Sequence, residues 1–309
     1  MGNLFRHSRY LTDGGLETDL IFNEGFELPE FAAIDLMRTK EGREGLATYY
    51  TKFLDIAARK ETGFVLESPT WRASRDWIAT LGYADGEMEK LNRDAITLMK
   101  SLREEFQDRI SHILISGCIG PRGDGYDPGD IMEVGDAADH HAFQIELFAE
   151  AGCDLTTAIT MTNANEASGV SLAAKRAELP CVIAFTVETD GRLPSGMTLG
   201  DAIAEVDANA PPVHFMINCA HPTHFQSELI QGSDWLKRIG GFRSNASRLS
   251  HAELDECEEL DDGNPAELAE SHLELCNAVP SLRVTGGCCG TDERHIAAMA
   301  DAWAATSSD

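Results

Sequence analysis

A single (β/α)8 TIM barrel is the fold that the sequence predicts, and three observations predict it. Short β-branched or apolar runs alternate with longer amphipathic ones, the pattern of βα units on a parallel sheet. Eight runs of each kind follow one another, with no Pro/Ser-rich linker between them. The 309 residues suit one barrel, which takes ~250 residues and more with insertions. At ~150 residues per domain two domains are also allowed, and a doubly wound open sheet is the alternative. Strict alternation favours the barrel, with residues 1–309 as one domain.

The elements fall in order. Tyr10–Asp13 is the first short strand, closed by two glycines, and Gly45–Glu61 is the helix after it. Phe64–Glu67 then precedes the helical pattern Glu87–Phe106, and Ile113–Gly117 precedes Ala137–Ala151. Leu155–Ile159, rich in β-branched residues, leads to Ala164–Glu178, and Val182–Val187 leads to Leu199–Asn209. Val213–Asn218 is followed by Phe225–Gly232. Trp235–Gly240 and Leu282–Thr285 complete the strands, each with its helix, Pro265–Ala278 and Asp292–Ala304. Two loops are long: Pro121–Gly135 and Arg243–Pro265, the second with the acidic run Asp255–Asp262, which reads as solvated surface.

Charge narrows the function classes. There are 25 basic and 52 acidic side chains, a formal net charge of −27, and a pI near 4.6. Such a field repels nucleic acids and anionic membranes, so neither is an expected partner. The N-terminus lacks the apolar run of a signal peptide, and Met-Gly-Asn-Leu-Phe-Arg spoils a myristoylation site with Arg6. No stretch approaches the ~18 apolar residues of a membrane span. The cytoplasm is the expected compartment, where the eight cysteines are mostly reduced thiols and their spacing bears on metals or chemistry before disulfides.

In a barrel the active site gathers where strands end and βα loops begin. There the sequence places Asp13-Gly14-Gly15-Leu16-Glu17-Thr18, Glu67-Ser68-Pro69-Thr70-Trp71, Gly117-Cys118, Asn218-Cys219 and Gly286-Gly287-Cys288-Cys289-Gly290. Adjacent cysteines between glycines can turn both thiols into one site, because glycine permits the sharp turn. Metal ligation with a distant third ligand, a vicinal disulfide and two unliganded buried thiols are the readings open to that pair. Cys219, at the matching end of another strand, favours the metal.

These motifs resemble the homocysteine S-methyltransferase family. Asp13-Gly14-Gly15, Asn218-Cys219 and Gly286-Gly287-Cys288-Cys289-Gly290-Thr291 carry the resemblance, with Gly120-Pro121 and Ala149–Asp154 beside them, over about residues 9–304. It implies a zinc-binding barrel with Cys219, Cys288 and Cys289 as metal ligands and catalytic centre. Three ligands and an open position are the pattern of a catalytic zinc. A free thiol is mostly protonated at neutral pH, and a metal deprotonates it. The implied reaction moves a methyl group from a small sulfonium or betaine-type donor to homocysteine, giving methionine. A folate donor working through cobalamin needs further domains. Asp13 and Glu67 are candidates for the substrate ammonium, the amides of Gly14 and Gly15 for its carboxylate, and Asn218 is counted with them.

Competing readings stand beside these. Asp13 could be a turn residue, Glu67 could pair with Arg72, and Thr18 could pack or cap a helix. Trp71 and Trp77, flanking Arg72 and Arg75, could attract a methylated cation or simply pack. His221, His224, His140 and His141 are read as loop or helix residues, and Cys118, Cys153, Cys181, Cys257 and Cys276 as ordinary thiols. The chain departs from the family at Ile159, where many members carry Glu, and at Ser68-Pro69-Thr70. Another thiol acceptor, or a zinc-binding barrel without turnover, is the alternative; a redox protein using Cys288 and Cys289 is a third.

Overall fold

The computed structural model describes residues 4–229, 233–257 and 259–305. Residues 1–3, where the myristoylation motif would begin, lie outside the described residues. So do residues 230–232, where the sequence predicts the end of a helix, and Glu258 of the acidic run. Eight parallel strands close into a barrel in sequential order, β8 returning to β1. They are β1 Tyr10–Leu11, β2 Gly63–Glu67, β3 Ile113–Ile119 and β4 Leu155–Met161. The second half comprises β5 Cys181–Phe185, β6 His214–Asn218, β7 Ile239–Ser244 and β8 Val284–Gly287.

One long helix follows each strand: α1 Lys40–Arg59, α2 Asp85–Phe106, α3 Val134–Glu150 and α4 Ala164–Arg176. The others are α5 Leu199–Asn209, α6 Pro222–Leu229, α7 Pro265–Ala278 and α8 Glu293–Ala305. Their starts have local causes. Thr39, Asn163, Thr198 and Asn264 each accept a backbone N–H of the first turn, replacing a bond that the helix cannot make. The apolar helix faces pack on the outside of the sheet around Leu46, Phe53, Leu102, Ile145, Val170 and Ile296. A second, smaller core fills the inside of the barrel: Phe5, Tyr10, Val65, Leu114, Leu155, Val182, Ala184, Met216 and Val284. None of the helices among the described residues is long and apolar enough to cross a membrane.

Two strands sit further along the chain than the sequence suggests. Residues Asp234–Arg238 form a 3₁₀ turn, and the seventh strand starts only at Ile239. Gly240 and Gly241 look like its end but lie inside it. A Cβ on Gly240 would meet the His214 ring at 2.4 Å, and one on Gly241 would meet Met216 at 2.8 Å. These glycines are close-packing positions, not breakers. The eighth strand likewise runs to Gly287, because Gly286 lets Thr12 approach to 2.2 Å from where a Cβ would stand.

Candidate active site

On four of the strands the residue two positions beyond the inner core is polar. Glu67 follows Val65, Ser116 follows Leu114, Thr157 follows Leu155 and Asn218 follows Met216. Because side chains alternate along a strand, these point into the barrel as well. Above them lies a cavity of about 420 Å³ lined by residues from the β1, β2, β3, β4, β6, β7 and β8 ends. Asp13, Gly14, Gly15, Glu67, Cys219, Cys288 and Cys289 all line it. Asn218 is fully buried just beneath.

The three cysteines converge. Cys219 leaves β6 with a φ of 51°, in the left-handed region that a residue with a Cβ rarely adopts. His251 Nε2 donates to its carbonyl at 2.6 Å, and its own amide donates to the Arg243 carbonyl at 3.1 Å. The Cys288 amide donates to Ser244 and its carbonyl takes both the amide and the hydroxyl of Thr291. As a result the three sulfurs lie within 4.8 Å of one another. Cys219 and Cys288 are joined by a disulfide, while Cys289 Sγ lies 3.9 Å from Cys219 Sγ. The bond is therefore not the vicinal one that the sequence offered as an alternative. Sulfurs at ~2.3 Å from one tetrahedral zinc stand about 3.8 Å apart, which the 3.9 Å between Cys219 and Cys289 matches, and the three thiols that reduction would free have the chemistry for such an ion. Burial pushes the Cys289 thiol up to about 11, partly offset by the Tyr126 hydroxyl at 3.6 Å. Without a cation it stays protonated at neutral pH.

Arg243, which the sequence reading placed in a loop, is the electrostatic centre of the floor. Its guanidinium donates to Asp13 Oδ1 at 2.8 Å, to the Gly14 carbonyl at 3.1 Å and to the Gly287 carbonyl at 3.0 Å. Burial opposes its charge, but Asp13 and Glu67 outweigh burial and hold the pKa above the usual range. Asp13 also accepts from Thr12 at 2.8 Å and from Tyr49 at 3.1 Å. Its charge is thus neutralised inside the protein. Glu67 is different. It is 5% exposed, and its Oε2 has no hydrogen-bond partner. Burial pushes its carboxyl up to about 7, against the pull of Arg243 and hydrogen bonds from Ser116 and Thr157.

Other expectations sort themselves by position. Glu67 does not pair with Arg72, whose partner is Asp124 at 3.6 Å and whose guanidinium stacks on Trp71 and Trp77. Trp71 lines the cavity; Trp77 does not, and backs Arg72 instead. The Gly15 amide is committed to the Thr291 carbonyl at 2.9 Å, so it is not available to a substrate carboxylate. Both glycines are needed for close approach: a Cβ on Gly14 would lie 2.6 Å from the Thr291 carbonyl, and one on Gly15 2.5 Å from that of Cys288. Thr18 donates to the Gly15 carbonyl and accepts from the Gly290 amide, tying the first loop to the last. Asn218 clamps Thr160, taking its amide at 2.9 Å and donating to its hydroxyl at 3.0 Å. Thr160 needs the clamp, since its φ is 64°. Ile159 lines the cavity with an apolar side chain.

His221 and His224 bond to Thr223 and the Arg248 carbonyl, and His141 is buried against Glu166. Cys153, Cys181 and Cys276 are free thiols away from the cavity, whereas Cys118 and the exposed Cys257 line it. Besides Arg243, sequence reasoning misses the wall residues Tyr126, His251 and Asp124, and it quotes Glu17 only within its motif. Tyr126 stacks on His251 with ring centres 3.9 Å apart, and Glu17 and Asp124 add carboxylates.

Fold and site together define a (β/α)8 barrel with a three-cysteine cluster at the catalytic end of its strands. The model of the homocysteine S-methyltransferase family matches residues 10–303, and the chain belongs to that family. A selenocysteine Se-methyltransferase from Brassica oleracea var. italica is 23% identical over 94% of this chain and 87% of its own length. The homocysteine methyltransferase MmuM from Escherichia coli shares the fold. Its oxidized form superposes with a TM-score of 0.77 at 19% identity, covering 95% of this chain and 96% of that one. Its metallated form gives 0.74 at 18% identity, with 96% of both chains covered.

Proposed function

We propose that the chain is a zinc-dependent S-methyltransferase that moves a methyl group from a small sulfonium or betaine-type donor to the thiol of homocysteine, giving methionine. The observation that carries the proposal is the convergence of Cys219, Cys288 and Cys289 on a cavity that also holds the unsatisfied Glu67 oxygen. Reduced, the three thiols would hold the ion. Bound there, zinc supplies a Lewis acid that lowers the pKa of a coordinated thiol to favour the thiolate. Glu67 takes the acceptor's ammonium, because Asp13 is already balanced by Arg243. The Gly14 amide is left for the carboxylate, and Asn218 acts by fixing Thr160 beneath the acceptor. The acceptor sulfur's electron pair makes the new C–S bond as the donor's C–S or C–N bond breaks with its own pair. The donor leaves neutral, so no general acid is required.

Ile159 favours a second reading, in which the acceptor is a different thiol or a selenol. The selenocysteine enzyme among the relatives makes that class worth testing. Small molecules are the expected partners in either case, and a reducing cytoplasm suits the thiols. The test is a screen of reduced, zinc-loaded protein with homocysteine, cysteine and selenocysteine against S-methylmethionine, S-adenosylmethionine and betaine. Methionine from homocysteine with at least one donor is the expected product. No methylation of any acceptor would leave a zinc-binding barrel without turnover.

A further inference from the structure

We infer that Glu17 recognises the positive charge of the methyl donor, on the cavity side of Cys289, an inference that rests on the methyl-transfer reading above. Glu17 lies in the single turn Leu16–Thr18 after β1. That turn is fixed against the Cys288-Cys289 segment through the Thr18 bond to the Gly290 amide and the close passage of Gly15 over the Cys288 carbonyl. Glu17 cannot drift from the cysteines without breaking these contacts.

The cavity's acids are not equivalent. Asp13 is neutralised by Arg243, Asp124 faces Arg72, Asp261 takes the Ser247 hydroxyl, and Glu259 is exposed to solvent. Glu67 lies deep in the cavity floor, close to Ser116 and Thr157. Glu17 stays partly open to the cavity, and among the described residues no side chain donates a hydrogen bond to it. Glu17 and Cys289 line the same cavity. Tyr126 touches the Cys289 sulfur, and Trp71 also lines the cavity. A carboxylate and aromatic faces lining one cavity are the combination that attracts an onium group. Two carboxylates at two depths therefore match two cations, the acceptor ammonium at Glu67 and the donor onium at Glu17. Ile159 fits this division, since its wall offers no charge to either.

Trimethylsulfonium is the probe, titrated calorimetrically into reduced protein with and without zinc. Glu17→Gln should weaken its binding by about tenfold or more, and Glu17→Asp should restore part of the loss. Glu67→Gln should leave the probe's affinity unchanged and weaken homocysteine instead. In turnover, Glu17→Gln should raise KM for the donor and not for the acceptor. Equal affinity of wild type and Glu17→Gln for the probe, no binding by wild type, or an equal loss in Glu67→Gln would overturn the assignment. Zinc content and homocysteine binding, read in the same samples, report on the methyl-transfer reading separately. Their failure with Glu17-dependent cation binding intact would remove that reading alone.

Discussion

Inside the barrel, Val65, Leu114, Leu155, Val182, Met216 and Val284 fill the lower half, and Phe5 and Tyr10 close it from below. Two residues further along the same strands the interior holds Glu67, Ser116, Thr157 and Asn218, with Arg243 and Asp13 above. His214 marks the lower limit. Burial, helped by Arg238 and Arg283, pushes its pKa down to about 3, and its ring packs against Phe5 as a neutral group. In the upper half the same degree of burial is tolerated by charged groups, because Asp13, Arg243 and Glu67 are set against one another. One half gains stability by removing apolar surface from water; the other spends some of it to keep charges and thiols in fixed places.

Substitutions can break or sharpen this contrast. The largest effect is expected at Arg243. Arg243→Ala strands Asp13 in the interior and should cost about 3–5 kcal/mol in chemical denaturation, with loss of acceptor binding. Met216→Ala, in the lower half, should cost about 2–4 kcal/mol through the cavity it leaves. Its KM for acceptor should stay that of wild type. Equal damage to KM from both would mean that the two halves are not separable.

The smallest effect is one of pH. The folded-state pKa of Glu67, about 7, lies above its ordinary 4.5. Between those values the folded protein keeps a proton that the unfolded chain has released, so this group's contribution to stability falls as pH rises through the window. Glu67→Gln should therefore be more stable than wild type at pH 8, by roughly 1–3 kcal/mol at about 1.4 kcal/mol per pKa unit, and equal to it at pH 4. In wild type, homocysteine binding should weaken as pH falls below 7 and Glu67 takes up its proton. A pH-independent difference between the two proteins would place the Glu67 carboxyl outside the buried floor.

Much of this was readable along the chain. Cys219, Cys288, Cys289, Asp13 and Glu67 follow directly from strand ends, since a barrel brings every such end to one rim. Arg243 did not follow, because Gly240-Gly241 resembles a strand end and the packing against His214 and Met216 that requires those glycines is long-range. Glu17 belongs to a motif, but its isolation depends on which neighbouring acids find arginines. Tyr126 and His251 come from the two long loops, where no periodicity reports which side chains meet. The Cys219–Cys288 bond spans 69 residues and joins β6 to β8, a proximity that only the closed barrel creates.

The central claim is that three cysteines at the upper rim form one soft-metal site. Its most direct test is the metal content of the reduced protein and of Cys219→Ser, Cys288→Ser and Cys289→Ser, measured by mass spectrometry after dialysis against zinc. One zinc per chain in wild type, lost from each variant, is the predicted result. Wild-type protein without zinc, or any of the three variants retaining it in full, would contradict the account.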